Sequence, residues 1–219
     1  MILGNHACVL LSGGQDSTTA LAWAKERFTD VSALTVVYGQ RHDREVGAAR
    51  LVALEAGVAD HTVVDVPLGT ITKSDLFHGG GDIVENPDGL PSSFVPGRNL
   101  ILGTLAAAYC HPRGIRHLVM GVSQVDFSGY PDCRRPTIDA LQEAIGLGLD
   151  VPFTIHTPLV ELSKADTVLL AARTPGAWSL LRHSWTCYYG GEAPCGTCPA
   201  CRLRAQGFAE ASMRDPALA

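Results

Sequence analysis

The run Leu11-Ser12-Gly13-Gly14-Gln15-Asp16-Ser17 follows an apolar stretch and precedes a helix-favouring one. No other feature of the chain restricts its folding as much. Cys8-Val9-Leu10-Leu11 suits a buried strand, and residues 18–28 suit a helix with Leu21, Trp23, Ala24 and Phe28 on its packed side. The turn between them then lies at the carboxyl end of the strand. Two adjacent glycines let the backbone bend sharply and aim several N–H groups at one point. The start of the helix adds its partial positive charge, so the loop can hold an anion such as a phosphate chain. Ser12 and Ser17 can donate further hydrogen bonds, and Asp16 is a candidate ligand for magnesium. The competing reading is a glycine turn with Asp16 or Ser17 as an N-cap that binds nothing. A complete run at a strand-to-helix junction weighs against it.

The rest of the chain fits the same architecture. Residues 31–38 are β-branched and apolar, a second strand, and residues 61–66 make a third. Residues 43–56 between them support a helix, with Val46, Ala49, Leu51, Val52 and Leu54 expected to be buried. This alternation predicts an α/β fold, a doubly wound parallel sheet of Rossmann-like type. Its ligands lie beyond the carboxyl ends of the strands, where residues 12–17 fall. From 67 to 96 the pattern breaks, with Gly79-Gly80-Gly81 and Pro87, Pro91 and Pro96. Long irregular segments of this kind serve as lids or substrate loops. Beyond it, residues 99–109 and 137–147 read as helices and 117–121 as a strand. Ser163 caps a helix over 164–173, which Thr174-Pro175-Gly176 stops. The expected division is a nucleotide-binding domain over residues 1–177 and a cysteine-organised subdomain over 178–219.

Composition excludes several classes. Hydrophobic residues make up 46% and charged residues 18%, which argues against disorder. No apolar run is long enough to cross a bilayer. The opening Met-Ile-Leu-Gly-Asn-His has no basic region before its apolar residues, so no secretion signal is read and a cytoplasmic protein is expected. The net charge is −5 without a basic block, which argues against a long nucleic acid as main partner.

The seven cysteines divide unevenly. Cys8, Cys110 and Cys133 are scattered, whereas Cys187, Cys195, Cys198 and Cys201 form a Cys-x7-Cys-x2-Cys-x2-Cys cluster. Four soft thiolates close the coordination sphere of one tetrahedral ion, for which zinc is the natural occupant. An iron–sulfur cluster or a redox dithiol stay open as alternatives. Four ligands leave no open position, so the role is structural: the metal locks a Gly- and Pro-rich tail that cannot build its own core. Cys201 is expected to begin the helix that carries Arg202 and Arg204.

The loop has no Gly-Lys-Ser/Thr ending and is therefore not the common P-loop. It resembles the Ser-Gly-Gly-x-Asp-Ser pyrophosphate loop of the N-type ATP pyrophosphatases, which split ATP between the α and β phosphates and leave a substrate adenylated. Further motifs are Tyr38-Gly39-Gln40-Arg41-His42, Phe94-Val95-Pro96-Gly97-Arg98-Asn99, Tyr130-Pro131-Asp132-Cys133-Arg134 and Leu162-Ser163-Lys164-Ala165. With the terminal cysteines, this ordered set resembles the 7-cyano-7-deazaguanine synthase family over residues 9–208. Gln15 departs from it, standing where an apolar residue is more often expected.

The resemblance implies an adenine nucleotide alpha hydrolase-like fold, ATP, magnesium and zinc as cofactors, and a homodimer. It implies conversion of 7-carboxy-7-deazaguanine and ammonia to the nitrile through adenylated intermediates. The nucleotide is then expected against Leu10, Leu11, Ser12, Gly13, Gly14, Gln15, Asp16, Ser17 and Thr18, with adenine read near Tyr38, Gly39 and Gln40. Ser12, Asp16, Ser17, Arg98 and Lys164 are the candidate catalytic residues, the last two countering charge on the substrate carboxylate or the α-phosphate. Phe94, Arg98, Asn99, Tyr130, Asp132 and Arg134 are candidates for holding the deazaguanine acid. Asp132 would accept from the guanine-like edge, and Phe94 or Tyr130 would stack on the ring. His42 and Asp126 are conceivable bases for ammonium, and the 219 residues leave no room for a glutaminase, so free ammonia is the expected donor. Other readings are a tRNA thiolase or amidotransferase of the same superfamily, a relative that passes the acid to a protein amine, and a non-catalytic zinc module for nucleic acid.

Overall fold

Side chains of the first strand, β1 (Gly4–Leu10), part alternately to two faces, and both faces are buried. A strand covered on both sides belongs to the interior of a parallel sheet. The computed structural model describes residues 2–41, 43–77, 79–84, 89–124 and 130–218. In it β1 pairs in parallel with β2 (Phe28–Val37) on one side and β4 (His117–Val119) on the other. Outside these lie β3 (His61–Asp65) and β5 (Thr154–His156), giving the order β3-β2-β1-β4-β5. The order reverses direction at β1, so the crevice of this doubly wound sheet opens beside the loop that follows β1.

The helices form two layers. On one face, α3 (Arg98–Cys110) and α4 (Arg135–Leu149) bring Ala106, Ala107 and Cys110 with Ile138, Leu141 and Ile145 onto Cys8, Leu34 and Leu118. On the other, α1 (Gln15–Lys25) and α2 (Arg44–Glu55) cover Ala7, Val9, Leu11 and Ala33 with Ala20, Leu21, Ala24, Ala49, Val52 and Ala53. Leu21 and Val52 are fully buried, and each such side chain contributes about 2 kcal/mol. A second shell of helices backs α1. Its Ala22 meets Val168 and Ala171 of α5 (Lys164–Arg173), Leu181 of α6 (Ala177–Leu181) and Phe208 of α7 (Pro199–Glu210). α1 is thus enclosed on nearly every side, which explains its run of small residues.

Several elements differ from the sequence reading. The first helix ends at Lys25, and Phe28 opens β2 because its ring is needed in the sheet core. Leu51 and Leu54 are 50% and 72% exposed: α2 faces the sheet through Ala49, Val52 and Ala53, one turn apart on the opposite side. The last helix starts at Pro199 and Cys198 is its N-cap, accepting from the Cys201 N–H. β5 and α6 escape the sequence because three and five residues are too few to show a period. Ser163 does cap α5, accepting from the Asp166 N–H. The helix α6 begins at Ala177, and Leu180, Leu181 and Phe208 share one core with α1 and α5. Among the described residues, no helix is long and apolar enough to cross a membrane.

Candidate active site at the first strand-to-helix loop

Residues 11–14 leave β1 and turn into α1. Gly13 takes a positive φ of 84°, and a Cβ there would lie 2.3 Å from the Glu45 carbonyl and 2.5 Å from the Ala49 nitrogen. Any side chain would push α2 off the loop. The turn is closed by its own hydroxyls. Ser17 Oγ accepts from the Ser12 N–H at 3.2 Å, Ser12 Oγ accepts from the Gly14 N–H at 3.2 Å, and the two hydroxyl oxygens lie 3.0 Å apart. Gly14 is the N-cap of α1 without a side-chain cap, so the start of the helix keeps its donors for something else. The Trp185 N–H donates to the Gly13 carbonyl at 2.9 Å and ties the C-terminal segment to the turn.

A cavity of about 670 Å³ opens above this loop. It brings together Leu10, Leu11, Ser12, Gly14, Gln15, Asp16, Ser17, Tyr38, Arg98, Asn99, Tyr130 and Lys164 from five distant parts of the sequence. Lys164 at the start of α5 reaches both oxygens of Asp16, at 2.9 and 2.8 Å. A Cβ on Gly207 would lie 2.3 Å from Lys164 Cγ, so α7 needs a glycine there for the lysine stem to pass. Arg98 sits between two phenols, its guanidinium carbon 5.8 Å from the Tyr38 ring and 5.9 Å from the Tyr130 ring. Burial opposes its charge, but Tyr38, Tyr130, Asp132 and Cys133 around it outweigh this and hold it protonated.

Other sequence candidates lie elsewhere. Gly13, Thr18, Gly39, Gln40, Phe94, Asp132 and Arg134 are not on the cavity wall. Asp132 Oδ2 accepts from the Asn99 N–H at 2.9 Å, which ties it to the start of α3. Phe94 packs on Tyr130 with ring centroids 5.4 Å apart, and Arg134 is exposed at the N-cap of α4. Gln40 turns its amide back to accept from the Tyr38 N–H at 2.7 Å. His42 and Asp126 fall outside the described residues.

The structure adds residues that the sequence did not single out. Glu45, Trp185 and Tyr188 line the cavity, as do Ile83, Val84 and Pro91 from the irregular segment. Burial drives the Glu45 carboxyl up to about 7 against the pull of Arg98. Gln15 is 3% exposed with neither amide atom hydrogen-bonded among the described residues, although the residue borders the cavity. Its only sequence signal was the departure from an apolar residue.

Behind the cavity, the sulfurs of Cys187, Cys195, Cys198 and Cys201 all lie within 4.8 Å of one another. Backbone N–H groups of Tyr189 and Cys195 point at Cys187 Sγ, those of Thr197 and Cys198 at Cys195 Sγ, and that of Cys201 at Cys198 Sγ, at 3.2–3.4 Å. Donors aimed at sulfur stabilise thiolates, and four sulfurs this close together could hold a metal ion. Next to it, Arg204 makes a two-point ion pair with Asp215 at 2.6 and 2.8 Å, and its remaining nitrogen donates to Ser184 and Thr186. Both partners are nearly inaccessible. Asp215→Ala leaves a buried guanidinium short of its counter-charge and is expected to cost about 3 kcal/mol, read as a lower denaturant midpoint. An unchanged midpoint would show that the pair carries no net weight.

The family model described as "Queuosine biosynthesis protein QueC" matches residues 6–212. A protein of Laribacter hongkongensis named 7-cyano-7-deazaguanine synthase is 53% identical, over 97% of this chain and 94% of its own. Proteins of the same name from Chromobacterium violaceum and Phocaeicola vulgatus are 50% and 47% identical, over 96% and 93% of this chain and 92% and 93% of theirs.

Proposed function

Because the chain belongs to the queuosine biosynthesis protein QueC family, we propose that it converts 7-carboxy-7-deazaguanine to 7-cyano-7-deazaguanine with ATP and ammonia. One observation carries the reading onto this site: the glycine loop, Arg98 and Lys164 open into a single cavity large enough for nucleotide and acid together.

A carboxylate resists amines because oxide is a poor leaving group. Attack of its oxygen on the α-phosphorus of ATP forms the acyl adenylate and releases pyrophosphate. Charge builds on the departing β and γ phosphates, where the Ser12 and Ser17 hydroxyls and the start of α1 are preorganised to receive it. Arg98, held charged between two phenols, takes the substrate carboxylate. Lys164 moves from Asp16 onto the α-phosphate as negative charge collects there. Ammonia then displaces AMP to give the amide. A second adenylation, on the amide oxygen, lets that oxygen leave with AMP as the nitrogen loses its protons.

Magnesium supplies charge neutralisation across the phosphate oxygens when bound, and Asp16 is the carboxylate placed to hold it. One carboxylate beside a phosphate chain is a donor set that magnesium accepts. Zinc at the four cysteines supplies rigidity and no chemistry, since four thiolates complete its coordination. The same reading makes the protein a cytoplasmic homodimer that takes small molecules and no nucleic acid.

Purified protein given ATP, magnesium, ammonium and 7-carboxy-7-deazaguanine is expected to release pyrophosphate and yield the nitrile, identified by mass. Pyrophosphate without nitrile, with the acid appended to a protein amine, would favour the protein-coupling relative instead.

A further inference from the structure

The proposed reaction needs ammonia, yet at neutral pH nearly all of it is ammonium, which has no lone pair to attack with. Some group in the cavity must accept the cation and remove a proton. Among the described residues, the acids on the cavity wall are Asp16 and Glu45. Asp16 pairs with Lys164 through both oxygens and, once that lysine moves to the α-phosphate, is the carboxylate assigned to magnesium above. Glu45 is different. Among the described residues none donates a hydrogen bond to its carboxylate, and Arg98 acts on it through space.

We propose that Glu45 binds ammonium and takes its proton, delivering ammonia to the activated carboxyl carbon; this rests on the synthase reading above. Its placement is fixed by the loop. The backbone carbonyl of Glu45 lies where a Gly13 side chain would begin, so the first turn of α2 packs directly against the pyrophosphate loop. This packing seats the Glu45 backbone beside the loop proposed to hold the phosphates. Tyr38, Tyr188 and Trp185 line the same cavity, and aromatic faces attract a small cation. The charged and titratable groups around Glu45 are Arg98 from α3, Tyr38 after β2 and Tyr188 from the C-terminal segment. Burial keeps both phenols neutral at physiological pH. Arg98 keeps part of the Glu45 population ionised, while burial raises its proton affinity toward that of ammonia.

The step balances as follows. Ammonium gives one proton to the Glu45 carboxylate, leaving ammonia and a neutral carboxyl. The nitrogen lone pair forms the C–N bond, and the C–O bond to phosphate breaks with its electron pair going to AMP. The new nitrogen then sheds a second proton to the AMP phosphate, giving a neutral amide. No oxidant or further reactant is required.

Glu45→Gln tests this in two half-reactions on one preparation. Acid-dependent pyrophosphate release in the first turnover, measured without ammonium, should stay within about threefold of the parent and reports that the variant is folded. The KM for total ammonium should rise at least tenfold, and the variant's rate should climb with pH as free ammonia increases, while the parent's does so less. Hydroxylamine, mostly neutral at pH 7, should form hydroxamate at similar rates with both proteins. An unchanged ammonium KM and pH profile would overturn the proposal, as would an equal loss with hydroxylamine. Failure of the parent itself to release pyrophosphate would count against the synthase reading and not against Glu45 in particular.

Discussion

Lys164→Ala is expected to slow acid-dependent pyrophosphate release by about 10²–10³-fold, the scale set by removing one preorganised charge from a transition state. Among the described residues this lysine is the one cation paired with the loop's own carboxylate, Asp16, at 2.8 Å. Three elements hold it there: the Ser163-capped start of α5, the loop, and Gly207 of α7, which leaves room for its stem. Loss of the ion pair alone costs little stability, about 1 kcal/mol or less for a partly exposed pair. The thermal midpoint should therefore barely move while the rate collapses. The check is single-turnover kinetics beside a melting curve. A rate within threefold of the parent would remove Lys164 from the chemistry and leave it as a tether between α1 and α5.

Stripping the metal is expected to have the second largest effect, and it should act on the loop from a distance. The four cysteines hold the segment that carries Trp185, whose N–H bonds the Gly13 carbonyl, and Tyr188, which lines the cavity. Protein treated with a strong chelator, or Cys198→Ser, should lose one equivalent of zinc and the order of this segment. Most helix content should remain, because the two layers on the sheet are built from other residues. Pyrophosphate release should fall by about 10²-fold or more, the cost of letting positioning groups drift by an ångström. The measurements are metal content by mass spectrometry, far-UV circular dichroism and the pyrophosphate assay. Full activity in protein shown to be free of metal would separate the cluster from the site.

The sheet and the loop were legible because their signals are local. The apolar run of β1, two glycines and a helix start lie within about fifteen consecutive residues, and the physics that reads them is the physics that folds them. The four-cysteine cluster was legible for a different reason: thiolates at close spacing have few uses. What the sequence hid depends on long-range packing. Glu45 enters the cavity because α2 docks on Gly13, and nothing within the helix marks it. Asp132 reads from sequence as a base reader beside Tyr130, and the sequence does not show that its Oδ2 also accepts from an N–H at the start of α3. Leu51 and Leu54 looked buried until α2 chose its smaller face for the sheet. The ion pair of Arg204 with Asp215 joins residues eleven apart across the end of α7, a partnership that residue types alone do not specify.

Following oxygen tests the central claim most directly. With 7-carboxy-7-deazaguanine labelled with ¹⁸O in both carboxyl oxygens, each of the two activations should transfer one labelled oxygen to AMP. Both AMP molecules formed per nitrile should carry the label, and the pyrophosphate should carry none. Label appearing in inorganic phosphate, or AMP formed without it, would contradict activation of the acid by adenylation at this loop.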